Sequence, residues 1–454
     1  VLARLLLAVA VLLAGRAPAG AVSIPVEEFT LDNGLRLLVH VDRSAPVISS
    51  YVFFRAGSRN ERRGTTGIAH LFEHMMFNGG KKYGPGVFDD VIEGHGGSTN
   101  GFTTRDMTAY LNNFPDAALP VVLDLEADRM AHLAITPQNL EQERGIVMEE
   151  RRLRIDNDVE GAMNEALYLQ AYQRSPYRWN TVGFMDDLER ITLEEARAYF
   201  QTYYAPNNAI IVLSGDVEPK AALALVKKLF GDIPRRPPPA PVDAGEPPQD
   251  GERIVMVRKP AQLPSVMLGY QAVAATDPDR AALDVAARLL AGGESARLTL
   301  DMVRTTEVAT GVYADLRWGI DPDLFIIYAQ AKPGKTADDL VARIDEGVAG
   351  LARGPVSPEE LARAKRQLRM ELLKGLKTVG GKANQLGFFE VVFGDPRKVD
   401  GLEAQWNAVT AEDVQRVVAK YLVPEKRTRA VLQPVDAGEK PPAQPAAAGA
   451  GAAQ

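Results

Sequence analysis

Apolar positions along the chain alternate between the period of strands and the period of helices, and the points of change mark out its elements. Phe29-Thr-Leu, an Asp32-Asn33-Gly34 turn and the run from Leu35 to Val41 have the form of a hairpin closed by residues that tolerate positive φ. A strand is predicted from Val47 to Phe54, and helical patterns occupy roughly residues 67–77, 116–133 and 137–155. Thr136 caps the last of these, with Pro137 at its first helical position. Residues 232–251, which include Arg235-Arg-Pro-Pro-Pro-Ala-Pro241, break both periods and read as an exposed linker. The stretch 436–454, rich in Pro, Ala, Gly and Gln, has no pattern able to bury a face and is expected to be disordered.

Strands and helices are mixed on both sides of the linker, which predicts an α+β fold. The two sides also resemble each other. Ile191-Thr-Leu-Glu-Glu through Tyr203 to Pro206 aligns at constant offset with Val409-Thr-Ala-Glu-Asp through Tyr421 to Pro424, and each copy runs into an apolar strand. Two homologous domains in tandem are therefore expected, at residues 24–231 and 252–435.

Length and composition narrow the chemistry. A chain of 454 residues with 46% hydrophobic and 24% charged residues can bury more than one core. Its net charge of -7 offers no basic field to a nucleic acid. Cysteine is absent, so a metal would have to be held by histidine and carboxylate, and all five histidines (40, 70, 74, 95 and 132) lie in the first half. At the N-terminus Arg4, the apolar run Leu5 to Ala14 and the small residues Ala17-Pro-Ala-Gly-Ala21 read as a signal peptide over residues 1–21. The mature chain is expected to be periplasmic or secreted, with no stable membrane span after cleavage.

His70-Leu-Phe-Glu-His74 falls in a predicted helix, where a separation of four puts both imidazoles on one face. Glu73 beside them could take a proton from a metal-activated water, the arrangement of an inverted zincin motif, H-x-x-E-H. A catalytic zinc needs a third protein ligand. Glu143 and Glu150, seven residues apart on the helix from Pro137, share a stripe with Ile146, Val147 and Leu153 that should face the interior. Glu149, Glu141 and the arginines around Arg151 fall on other faces and should be solvated. Glu150 is accordingly the expected ligand and Glu143 a carboxylate that orients a ligand or the water.

Gly67-Ile-Ala-His-Leu-Phe-Glu-His-Met-Met-Phe77, Gly96-Gly-Ser-Thr-Asn100-Gly-Phe-Thr103, Leu125-Glu-Ala-Asp-Arg-Met130 and Glu143-Arg-Gly-Ile-Val-Met-Glu-Glu150 together resemble the pitrilysin family of inverzincin peptidases. The likeness continues through Tyr204-Ala-Pro-Asn-Asn208 to Gly215-Asp216 and, more weakly, over the second half. That family includes insulin-degrading enzyme and the mitochondrial processing peptidases. The resemblance implies two α/β-roll-type domains and one zinc ion per chain, held by His70, His74 and Glu150. It also implies Glu73 as base, Glu143 as supporting carboxylate, and a peptide or unfolded protein as substrate. Gly97 to Thr104 matches the segment along which relatives hold substrate as an added strand, with Asn100 and Gly101 beside the scissile bond; on residue type alone these could equally form and cap a turn. Arg304 matches a substrate-binding arginine, but the tyrosine expected seven residues later is Gly311, with Tyr313 two positions on. Unless a bulge restores the register, the pair is incomplete, and the resemblance then implies a homologous partner subunit or a homodimer. The competing expectations are a non-catalytic structural or substrate-holding subunit, and a zinc hydrolase acting on a non-peptide amide or ester.

Overall fold

A computed structural model describes residues 22–436; the expected signal peptide and all but the first residue of the expected tail lie outside that range. The first half contains β1 (Glu27–Thr30), β2 (Arg36–Val41), β3 (Val47–Phe54), α1 (Ile68–Met75), α2 (Val87–Gly94), β4 (Ser98–Thr103) and β5 (Thr108–Pro115). It continues with α3 (Leu119–His132), α4 (Pro137–Arg151), α5 (Val159–Ala171), α6 (Met185–Arg190), α7 (Leu193–Tyr203), β6 (Ala209–Gly215) and α8 (Pro219–Phe230). The second half contains β7 (Arg253–Pro260), β8 (Ser265–Gln271), α9 (Arg280–Ala291), β9 (Ala309–Leu316), β10 (Leu324–Ala331) and α10 (Ala337–Arg353). It ends with α11 (Pro358–Gly375), α12 (Val379–Phe393), α13 (Leu402–Ala408), α14 (Ala411–Tyr421) and β11 (Arg427–Val435).

Two mixed sheets result, ordered β1-β2-β6-β3-β5-β4 and β7-β11-β8-β10-β9. In each, one parallel pair (β2/β6, β7/β11) is followed by antiparallel neighbours, so the second sheet repeats the first without β1. The aligned segments are the reason. Thr192 and Thr410 each close a capping box, with Glu195 and Asp413, over helices that run into the central strands β6 and β11. The fold is thus α+β with two domains of duplicated topology.

Because every strand alternates its side chains, each sheet has two apolar faces to cover. Leu37, Val52, Phe54 and Ile211 face α1 and the other helices of their own half. Leu38, Phe53, Ile210 and Val212 face the opposite way, into a core built with Ala383, Leu386 and Phe389 of α12, from the second half. The exchange is reciprocal. Met163 and Leu167 of α5, from the first half, cover Met267, Leu324, Ile326 and Leu432 of the second sheet. Glu390 of α12 is buried at this seam between Arg36 (3.2 Å) and Arg55 (3.0 Å). A Cβ added at Gly387 would lie 1.9 Å from the Phe53 ring, so helix and sheet approach more closely there than any side chain allows.

The linker forms no helix or strand, yet it is held in place rather than hanging free. Glu246 accepts the main-chain N–H groups of Gln173, Arg174 and Ser175 at 2.8–2.9 Å, and Gln249 donates to the carbonyl of Arg427 at 2.6 Å. Among the described residues, no helix is long and apolar enough to cross a membrane. Gly387→Ala should overpack the seam and lower stability by about 1–3 kcal/mol, measured as a fall in the urea midpoint at unchanged m-value.

Candidate metal centre

Helix α1 begins at a position that only glycine can hold. Gly67 has φ +88, and a Cβ there would stand 2.3 Å from the carbonyl oxygen of Val182. Glu61 caps this end, its carboxylate accepting the N–H groups of Gly67 (3.0 Å) and Ala69 (2.9 Å). Burial pushes the Glu61 carboxyl well above its ordinary range, against the pull of these two hydrogen bonds. One turn on, His70 and His74 project from the same face with ring centroids 4.9 Å apart.

Helix α4 lies against α1 and starts as expected, with the Thr136 hydroxyl accepting Asn139 N–H at 3.1 Å. Leu140, Glu143 and Val147 are its buried positions towards α1, and Glu150 continues that line half-buried. Two expectations about this helix fail. Ile146 and Leu153 are 46% and 63% exposed rather than interior: the inward line steps i, i+4, i+7 from Glu143, and Leu153 falls in a π-helical turn over Arg152–Asp156 that carries it outward. Arg151, expected in solvent, is buried because Glu165 (2.8 Å) neutralises it and the Gly183 carbonyl accepts from it. Glu149 and Glu141 do face solvent, paired with Arg152 and Arg144.

Among the described residues, His70, His74 and Glu150 bring one donor atom each within 4.8 Å of one another. His74 Nε2 stands 3.3 Å from Glu150 Oε2, and His70 Nε2 stands 3.7 Å from Glu150 Oε1. Donors placed about 2.0–2.2 Å around a tetrahedral ion stand about 3.3–3.6 Å apart. Two neutral-capable imidazoles and a carboxylate therefore fit zinc in both chemistry and spacing. On its other side, His74 Nδ1 faces Glu143 at 3.6 Å, and Asn78 donates to Glu143 at 2.9 Å, fixing that carboxylate from behind. Arg154 is also bonded to Glu150.

Electrostatics separate the two histidines. Burial lowers His70 to about 4, leaving it neutral at pH 7. Burial also works against charge on His74, but hydrogen bonds to Glu143 and Glu150 prevail and raise it to about 9. Contact with His74 holds both carboxylates below their ordinary range. Glu73, 3.8 Å from His70 Nε2, is shifted upward by burial, against a hydrogen bond from Thr103.

The remaining candidates divide. Asn100 and Gly101 lie on β4, an edge strand of the first sheet, and a Cβ on Gly101 would come 3.1 Å from Glu73 Cγ. Arg304 belongs to the second half, in the π-helical turn Thr299–Thr305, largely exposed and paired with Glu294. A register irregularity leaves Thr310 as an extra residue on β9. One extra residue cannot bridge the two positions between Gly311 and Tyr313, whose hydroxyl donates to Glu160 at 2.7 Å. Sequence reasoning missed Glu61, Asn78 and Thr103. The first two are polar residues flanking the zinc motif whose partners are brought by other segments.

Residues 36–183 match the family described as Insulinase (Peptidase family M16), and residues 190–368 match the Peptidase M16 inactive domain. The chain is 31% identical over 413 residues to the zinc protease PqqE of Helicobacter pylori, covering 90% of this chain and 93% of that one. It is 29% identical over 420 residues to a probable mitochondrial-processing peptidase subunit beta of Arabidopsis thaliana, covering 89% and 78%. The crystal structure of a protease from Helicobacter pylori superposes with a TM-score of 0.87 at 30% identity, covering 91% of this chain and all of that one.

At pH 7 the metal-free protein carries a proton on His74 that a metal must displace. Zinc binding should release about one proton, and affinity should rise about tenfold per pH unit until the pH nears 9. Calorimetric titration in buffers of different ionisation enthalpy measures this. Since the folded value lies above the ordinary 6.5, protonated His74 also stabilises the metal-free fold below that pH, a contribution lost as pH rises through about 9.

Proposed function

Because the chain belongs to peptidase family M16, the insulinase family of zinc peptidases, we propose that it is an endopeptidase cleaving peptides or unfolded polypeptides. In this reading His70, His74 and Glu150 hold one zinc ion per chain. The observation that carries it is the convergence of those three donors beside Glu73 and against the free edge of β4.

A zinc ion held there would supply Lewis acidity towards a peptide carbonyl and make a water molecule more acidic. Glu73 takes the proton from that water and returns it to the leaving amine, a double duty suited to a carboxyl that burial has raised. Glu143, steadied by Asn78, keeps the His74 ring turned towards Glu150. Substrate adds as a strand along β4, where backbone pairing tolerates many sequences. The absent side chain at Gly101 leaves space between that strand and Glu73, and Asn100 lies beside it. Export to the periplasm or the medium completes the reading, on the strength of the N-terminal apolar run and small residues.

A second reading concerns the working unit and has one observation in its favour. Gly311 presents no side chain on β9, and the nearby Tyr313 hydroxyl is already bonded to Glu160. The chain then acts as the zinc-bearing member of a pair, with a homologous partner supplying the missing tyrosine.

Glu73→Gln should retain zinc and fold while losing roughly 10²–10⁴-fold in turnover, assayed on a mixed library of quenched peptides with and without chelator. Undiminished turnover would remove Glu73 from the role of base. The purified zinc-loaded chain should show little activity alone if it needs a partner; full turnover without one would exclude the second reading.

A further inference from the structure

Beside the metal centre and between the two halves lies a cavity of about 460 Å³. Thr103, Thr104 and Arg105 line it from the end of β4, Arg154 from the turn after α4, and Arg317 and Trp318 from the second half. Two of these residues touch the centre itself: Arg154 bonds to Glu150, and Thr103 bonds to Glu73.

The Arg105 guanidinium is the unusual member. Arg105 is 8% exposed, and its Nε is buried with no hydrogen-bond partner. It lies over the Tyr168 ring, 4.0 Å from the centroid, and its ion-pair contact, Asp323 Oδ2, stands 3.9 Å away, beyond hydrogen-bonding range. A buried guanidinium left this poorly bonded is costly unless a further acceptor comes to it. The acidic residues lining the cavity are engaged elsewhere. Asp323 accepts the Tyr168 hydroxyl (2.8 Å) and Leu324 N–H (2.7 Å), while Asp106 accepts the Tyr177 hydroxyl (2.6 Å) and Ile320 N–H (3.2 Å). Arg59, 3.5 Å from Asp106, is itself neutralised by Asp321, which accepts two of its N–H groups at 2.9 Å. Arg317 is exposed at the rim, and its carbonyl, not its side chain, is bonded, to Arg280. Arg105, Arg154 and Arg317 thus outnumber Asp106 and Asp323 in the lining of a space that begins at the end of β4.

We propose that this cavity is a carboxylate-recognition subsite for the peptide substrate, with Arg105 and Arg317 as its specificity-determining residues. The inference rests on the reading of the chain as a peptidase that holds substrate along β4. Gly101 abuts Glu73, and Thr104 and Arg105 follow three and four residues later, so at about 3.3 Å per residue the recognised group sits about three or four residues from the scissile bond. The carboxylate is either an Asp or Glu side chain or the free C-terminus of a short peptide.

The test uses the zinc-loaded full chain and matched quenched peptides, with Glu against Gln scanned across positions on both sides of the cut and with C-terminal acid against amide. The acidic member should be favoured in kcat/KM by roughly tenfold to a hundredfold, the worth of one charged hydrogen bond. A Glu/Gln effect assigns a side chain, and an acid/amide effect assigns the terminus. Arg317→Ala, which removes no bond within the fold, should bring the ratio close to one; Arg105→Gln should do the same if it folds. The same peptides are also measured by fluorescence anisotropy on the Glu73→Gln chain. Preferential binding without hydrolysis upholds the subsite, and it overturns the peptidase reading if the chain stays inactive with a homologous partner added as well. Hydrolysis with no preference for either carboxylate, or a preference that Arg317→Ala leaves intact, overturns the subsite alone.

Discussion

Each sheet of this protein is apolar on both faces, and one face of each is covered by a helix of the other half. That exchange governs the architecture. Helix α5 leaves the first half to lie on the second sheet, α12 does the reverse, and burial of these faces supplies the main attraction between the halves. The close approach of Gly387 to Phe53 and the buried Glu390 between two arginines follow from the same exchange, since helix and sheet can meet there only with a small residue and a neutralised charge.

The metal centre depends on this arrangement through α4 and the turn after it. Helix α4 carries Glu143 and Glu150 to α1, then Arg151 anchors its end to Glu165 on α5, the helix that crosses to the other half. Glu150, the third donor of the cluster, is thus held between the helix that carries His70 and His74 and the element that joins the domains. At the start of α1, Glu61 and the glycine at 67 fix where the helix begins, which sets the direction in which His70 and His74 point. A site assembled from two helices is only as accurate as their mutual placement, and here both are held at their ends by polar contacts as well as along their apolar faces.

What was legible in the sequence follows the range of the interactions involved. The hairpin at Asp32-Asn33-Gly34, strand β3, the Thr136 cap and the repeated capping boxes at Thr192 and Thr410 are local signals, and each appears where its residue types predict. The zinc motif is local as well, since His70 and His74 need only one turn of helix to come together. Local pattern misleads where a residue's surroundings come from distant segments. Arg151 is buried by partners on α5 and at Gly183 that lie far along the chain, and Ile146 and Leu153 share a helical stripe with Glu143 and Glu150 yet have no element packed over them. The linker is exposed as its composition predicts, but its tethers, Glu246 to residues 173–175 and Gln249 to Arg427, join positions that no local pattern relates. The exchange of α5 and α12 had no sequence signature at all, because an apolar helix face does not declare whose sheet it will meet.

The exchange also bears on how such a molecule could be encoded. With each half carrying the cover for the other's sheet, the connection through residues 232–251 adds its tethers to a cohesion that the exchanged helices already supply. Two separate genes, one for each half, would yield polypeptides that each expose a large apolar sheet face and an unpartnered apolar helix. Such products would be poor solitary proteins and strongly complementary to each other. Joining them in one reading frame ensures equal amounts of both, and it spares either half a solitary lifetime in which the exposed sheet could find the wrong partner.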